Sequence, residues 1–198
     1  MNYRVIAIER EYASGGREIG QRLAGRLRLP CHGHDILEMA AEKTGFSQSE
    51  LSKLEESMTG SFLYTLNLLA DISSGKAADL TMTQKLALAE SNIIRDLVLN
   101  PCVIIGRGAA GLLKDKTSAL KVFIHADHDT RIKRAIDVYG IHQKEAEATL
   151  RRYDKRRSNY FVTTTGVEWK DENNYHLFLN SGKLDMDTIV ELLYTAVG

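Results

Sequence analysis

The chain of 198 residues holds only two cysteines, two prolines and one tryptophan, and its 26 basic side chains are matched by 26 acidic ones. Each scarcity excludes something. Cys31 and Cys102 are too few for a disulfide framework, and their strand-like settings suit buried reduced thiols. A formal net charge of +0 leaves no global field to draw the chain to nucleic acid or a membrane surface. Any anion site must therefore be local. No apolar run reaches the roughly 18 residues of a bilayer-spanning helix, and the N-terminus lacks a signal peptide's apolar region. A cytoplasmic location is the expectation. Hydrophobic residues make up 43% and charged residues 26%, an ordinary globular composition. The length suits a single α/β domain over 1–198.

What is present is an alternation of strands and helices, which predicts a mainly parallel sheet covered on both faces. Val5-Ile6-Ala7-Ile8 reads as a buried strand and residues 16–29 as a helix with Ile19, Leu23, Ala24 and Leu27 on one stripe. Residues 30–33 form a candidate second strand, and a helix capped by Asp35 runs to about Lys43. Residues 46–100 are almost wholly helical in pattern. Ser47-x-x-Glu50 is a capping box there, Ser61 a second cap, and a break falls at residues 73–78. Residues 83–99 resume the helix. Two buried strands follow at residues 102–105 and 120–124, then a helix holding Arg131, Lys133 and Arg134. A strongly basic helix spans residues 146–160, a last strand 175–179 and a last helix 186–197.

Ligands of open parallel sheets bind beyond the carboxyl ends of the strands. That rule gathers residues 10–20, Asp35, Arg107 and Asp127 on one rim. Ser14-Gly15-Gly16 before a helix that starts with Arg17 can cradle an anion. In P-loop register, however, Glu11 stands at the first Gly, Arg17 at the Lys, and Glu18 at the magnesium-binding hydroxyl. Arg107 lies between Gly106 and Gly108, where a planar fork suits a phosphate. Residues 151–157 carry five cations and one acid. Arg151, Asp154 and Arg157 recur at three-residue spacing, so Asp154 can brace an arginine on either side. That run suits a lid over phosphates, a solvated basic face or an RNA-binding stripe. His32 and His34 share a strand face with Cys31 nearby, yet no second ligand pair accompanies them, so no metal site is expected. Asp35 either receives a base amino group or sugar hydroxyl, or caps its helix. Asp127 either holds metal-bound water or, as the favoured reading, caps the helix from His128.

Taken in order, the glycine loop, Asp35, Gly106-Arg107, Lys121-Val122-Phe123-Ile124-His125-Ala126 and Arg151-x-x-Asp154-x-x-Arg157 resemble cytidylate kinase. The opening Ile8-Glu9-Arg10-Glu11-Tyr12-Ala13-Ser14-Gly15-Gly16-Arg17-Glu18-Ile19 and the late Tyr175-His176-Leu177-Phe178-Leu179-Asn180 look like a divergent cytidylate-kinase-like branch. The resemblance spans most of the chain outside residues 46–100. It implies a P-loop three-layer α/β fold with about five parallel strands, a helical acceptor-side insertion at 46–100 and a lid at 142–170. It also implies transfer of the γ-phosphoryl of ATP, with Mg²⁺, to a nucleoside monophosphate (CMP or dCMP) or similar small phosphorylated acceptor. Arg10, Ser14, Gly15, Gly16, Arg17 and Glu18 would then hold the donor. Asp35 and Arg107 would hold the acceptor, and Arg17, Arg151, Asp154 and Arg157 would serve catalysis. Gly108 departs from the Asp of the Gly-Arg-Asp motif. The alternatives are a non-catalytic nucleotide-binding regulatory protein with a degenerate loop and, more weakly, an RNA-binding module. Nucleotides are the expected partners, membranes and nucleic acid are not, and a homo-oligomer stays open.

Overall fold

The computed structural model describes residues 3–45 and 82–198. The capping box at Ser47, the cap at Ser61 and the break at 73–78 lie outside the described residues. Five strands, β1 (Val5–Arg10), β2 (Cys31–His32), β3 (Cys102–Ile105), β4 (Ala119–His125) and β5 (Leu177–Asn180), form one sheet in the order β2-β3-β1-β4-β5. All four pairings are parallel, and Val5 stands between Cys102 and Ala119. The described helices are α1 (Gly16–Leu27), α2 (His34–Thr44), α3 (Met82–Leu97), α4 (Ala109–Leu112), α5 (His128–Asp137), α6 (Gln143–Thr165) and α7 (Met186–Val197).

Alternation along the central strand divides the core. Val5 and Ala7 face a cluster with Ile36, Leu86, Ile94, Phe123 and Trp169. Ile6 and Ile8 face one with Ile19, Leu23, Ile189 and Leu193. Strands buried on both faces must be apolar at every position, which is why β1, β3 and β4 read as continuous runs. Because all five are parallel, their carboxyl ends share one edge, and the loops that leave that edge make the site.

Three sequence expectations shift. β2 keeps only two residues, and Cys31 on this edge strand is exposed while Cys102 is buried; both thiols are free. The last strand starts at Leu177 because Tyr175 is an anchor: it is buried, its hydroxyl donates to Trp169 O at 2.6 Å, and its ring meets Phe123 edge-on. The basic helix is longer than its charge run, since Phe161 and Val162 bury against the sheet. Asp127 caps α5 as expected, accepting from Thr130 N at 3.0 Å.

Helix α1 ends on Arg28 in the left-handed region at φ 56°, with Leu29 N donating to Ala24 O. A side chain there costs about 1 kcal/mol relative to glycine. Arg28 is exposed, so Arg28→Gly should raise stability by about 0.5–1 kcal/mol. Urea unfolding should show a higher midpoint at unchanged slope.

Candidate functional site

The turn after β1 delivers the first turn of α1 to the rim. Gly15, at φ 79°, occupies the N-cap position, and no side chain caps the helix. The first amide N–H groups of α1 therefore point at the rim with their dipoles aligned, an arrangement that favours an anion. Gly16 is required by packing: a Cβ there would stand 2.5 Å from the Cβ of Arg10. Ala13 holds a left-handed φ of 60° without being glycine. Ser14 contributes only its backbone, because its buried hydroxyl donates to Glu11 O at 2.9 Å.

Glu11, which departs from the P-loop pattern, is a buried anchor. Its Oε2 lies 3.1 Å from Arg131 Nη1 and accepts from Ala126 N at 3.3 Å, and its Oε1 pairs with Lys170. Arg131 is as buried as its partner; its Nε donates to Tyr12 O at 2.8 Å and its Nη2 pairs with Asp154. Asp154 in turn accepts from Tyr12 N at 2.7 Å. Two carboxylates and one guanidinium thus tie the loop to α5 and α6. Asp154 does not brace Arg151 and Arg157 by hydrogen bonds, as the spacing suggests; it holds the loop. Tyr153, its neighbour, stacks on Tyr12 with centroids 4.4 Å apart.

Two clefts open above this scaffold. One, of about 460 Å³, lies over the loop and is lined by Tyr12, Gly15, Gly16, Glu18 and Tyr139. The other, of about 790 Å³, lies over the ends of β2 and β3, lined by Glu9, His32, Asp35, Arg107, Tyr153 and Arg156. Arg10, Arg17, Gln21 and Arg157 line both. Arg157 Nη1 donates to Arg10 O at 3.0 Å, which carries the basic helix to the junction. The guanidinium of Arg10 lies against Gly106, whose missing Cβ leaves the room. Burial, then the charges of Arg157, Arg107 and Arg17, pull the Arg10 guanidinium down to about 9. Burial also lowers Arg157. Burial pushes the Glu9 carboxyl up against the pull of Arg10, and its Oε1 finds no hydrogen-bond partner among the described residues.

Arg107 sits where the sequence places it, in a left-handed turn through Gly106 and Gly108. Its Nη1 is 3.0 Å from the fully buried Glu90 Oε1, so it is held, not swinging. Tyr160 also bonds Glu90. Asp35 does not cap α2; its Oδ1 accepts from Gly33 N at 2.6 Å and its Oδ2 meets His32 Nδ1 at 2.7 Å. Glu18 accepts from Tyr139 Oη at 2.9 Å and pairs with Arg134 at 3.1 Å, while its Oε2 is buried without a partner. Arg151 is exposed and 3.7 Å from Glu147, away from both clefts.

The rim thus collects Arg10, Arg17, Asp35, Arg107 and Arg157, with Glu18 beside them and Asp154 beneath. Sequence reasoning missed Arg131, Gln21, Glu90 and the pairing role of His32. Gln21 had a signal, standing one helical turn after Arg17. Glu90 and Arg131 had none, because their partners are distant in the chain.

An all-parallel five-stranded sheet with a phosphate-type loop at its carboxyl edge defines the kinase-type α/β fold. The cytidylate kinase-like family model matches residues 5–183, and the chain belongs to that family. A Eubacterium ventriosum protein described as uncharacterized has a similar structure, with a TM-score of 0.72 at 24% identity over 98% of this chain and 97% of that one. Shikimate kinase from Bacteroides thetaiotaomicron follows at 0.52 and 14%, covering 98% and 97%. Shikimate kinase from Acinetobacter baumannii, solved with shikimate, gives 0.52 and 11% over 98% and 93%. These likenesses show the fold. Among curated protein sequences none matches. No described helix is long and apolar enough to cross a membrane. Family and fold together support a phosphotransferase in general.

Clustered arginines repel one another until an anion joins them. Sulfate should therefore stabilise the protein beyond what chloride does at equal ionic strength, by about 1.4–2.7 kcal/mol at tenfold to hundredfold excess over Kd. Thermal unfolding in the two salts checks this; Arg17→Ala should remove most of the difference.

Proposed function

We propose that the protein transfers the γ-phosphoryl group of ATP to a nucleoside monophosphate, CMP or dCMP first among them, or to a similar small phosphorylated acceptor. The observation that carries this reading is the pair of clefts meeting at Arg10, Arg17, Gln21 and Arg157. A donor over the loop and an acceptor over β2 and β3 would bring their phosphates together among three cations, of which Arg10 and Arg157 are held by the fold. Charge that spreads over the transferred group is stabilised there without reorganisation. Gly15, Gly16 and Arg17 hold the donor phosphates, through backbone N–H groups and a guanidinium. Arg107 and Asp35 serve the acceptor side. Arg157 meets the group in transit, and Asp154 positions the loop beneath it.

Glu18 fits Mg²⁺. Its Oε2, buried and without a partner among the described residues, is a hard oxygen on a residue that lines the loop cleft in the place of the usual hydroxyl, and it would hold the ion. When bound, the ion would neutralise charge on the donor's phosphate oxygens. The second reading, a non-catalytic nucleotide-binding protein, rests on the engagement of the other Glu18 oxygen by Tyr139 and Arg134. An RNA-binding role finds less support, since Tyr12 stacks on Tyr153 and Arg157 turns inward.

A turnover screen of nucleoside monophosphates with ATP and Mg²⁺ tests the proposal. ATP binding without turnover of any acceptor favours the second reading. Arg107→Lys is the sharper probe, since it keeps a charge opposite Glu90 but loses the planar fork. The acceptor KM should rise about tenfold, the worth of one charge-assisted hydrogen bond, while the KM for ATP holds. Equal changes in both would show that the clefts do not divide the substrates.

A further inference from the structure

Both oxygens of Asp35 are engaged within its own turn. One oxygen takes the Gly33 N–H and the other meets His32 Nδ1. Although burial raises its carboxyl, the Gly33 N–H and His32 bring it below the ordinary aspartate value. An ionised Asp35 can only accept, so the proton of a neutral His32 sits on Nδ1, and Nε2 is left as a bare lone pair. The His32 side chain is 17% exposed and lines the larger cleft. No hydrogen bond to Nε2 occurs among the described residues.

We propose that His32 Nε2, held by Asp35, reads a hydrogen-bond donor on the acceptor, a sugar hydroxyl or an exocyclic amino group. His32 is then a specificity-determining residue and Asp35 a positioning residue that acts through it. The inference rests on the assignment of this cleft to the acceptor and narrows the class to molecules carrying such a donor beside their anionic group. The larger cleft is otherwise rich in donors. Arg17 from α1, Arg107 from the β3 turn, and Arg156 and Arg157 from α6 all supply N–H groups. A nitrogen lone pair among them selects for a complementary group that arginines cannot bind.

Two variants separate the roles. His32→Asn keeps an N–H where Nδ1 stood, so the Asp35 bond and the fold persist, but nothing remains at Nε2. His32→Gln restores an amide near Nε2 that does not titrate. With CMP as probe, calorimetry should give about tenfold weaker binding for His32→Asn and binding within about threefold of wild type for His32→Gln. Sulfate, an anion without the donor, should bind all three alike. Nitrogen-15 spectra should show the proton of neutral His32 on Nδ1. CMP binding unchanged in His32→Asn, or a proton on Nε2, overturns the inference and leaves phosphotransfer standing. His32-dependent CMP binding without any nucleotide turnover would sink the catalytic reading instead. Absence of both CMP and sulfate binding overturns the two together.

Discussion

The ion cluster of Glu11, Arg131 and Asp154 is the constraint on which the rest of the site depends. Arg131 rises from the first turn of α5 and closes on two carboxylates, one from the loop and one from α6. Burying these charges is costly, and the cluster is stable because nearly every lone pair and proton finds a partner. Removing one member would leave a charge stranded in the interior, typically a loss of about 3–5 kcal/mol. Such a cluster adds little net stability over an apolar core, but it fixes register. Here the register is that of a glycine turn relative to a basic helix. Tyr12 is held through both its N–H and its C=O, so the loop has little freedom to collapse onto its own amides.

With the loop held, the second feature follows. Arg10, Arg17 and Arg157 converge where the clefts join, and the guanidinium of Arg10 is lowered by burial and by its neighbours. A globally neutral chain has therefore concentrated positive potential at one edge of its sheet. Concentration of this kind works against folding when the site is empty and favours whatever anion completes it. Cations that the fold already holds need not reorganise to meet an anion. The basic helix is tied to the loop and to β1 through Asp154 and Arg157.

The strands of the core were legible because a doubly covered parallel sheet demands unbroken apolar runs, and Cys102–Ile105 could be little else. The rim was legible for the same reason: once the strands are placed, their carboxyl ends are known, and Arg10, Arg17, Asp35 and Arg107 fall there. Pairing was not. Arg151, Asp154 and Arg157 look equivalent on a helical wheel, yet Asp154 turns to Arg131, Arg157 turns to the Arg10 carbonyl and Arg151 faces solvent. Three-residue spacing states which side chains share a stripe; only packing against β1 and α5 states what the stripe meets. Glu11 shows the converse. Against a motif it reads as a lost glycine, and in the fold it is a buried ligand for two cations 120 and 159 residues away.

The usual P-loop concentrates its cation in one lysine at the helix start. Here the backbone at Gly16 is bare, and the side chain of Arg10, arriving from the strand below, passes directly over it. The guanidinium then extends to Gly106, across the gap between the loop and the turn after β3. One cation from the sheet's central strand therefore touches the walls of both clefts. Arg17 keeps a cation at the helix start, and Arg10 adds one from β1 that couples the two sides through a rigid strand, which is why Gly16 and Gly106 must both lack a Cβ. The far wall, where His32 and Asp35 close on each other, stands clear of this coupling.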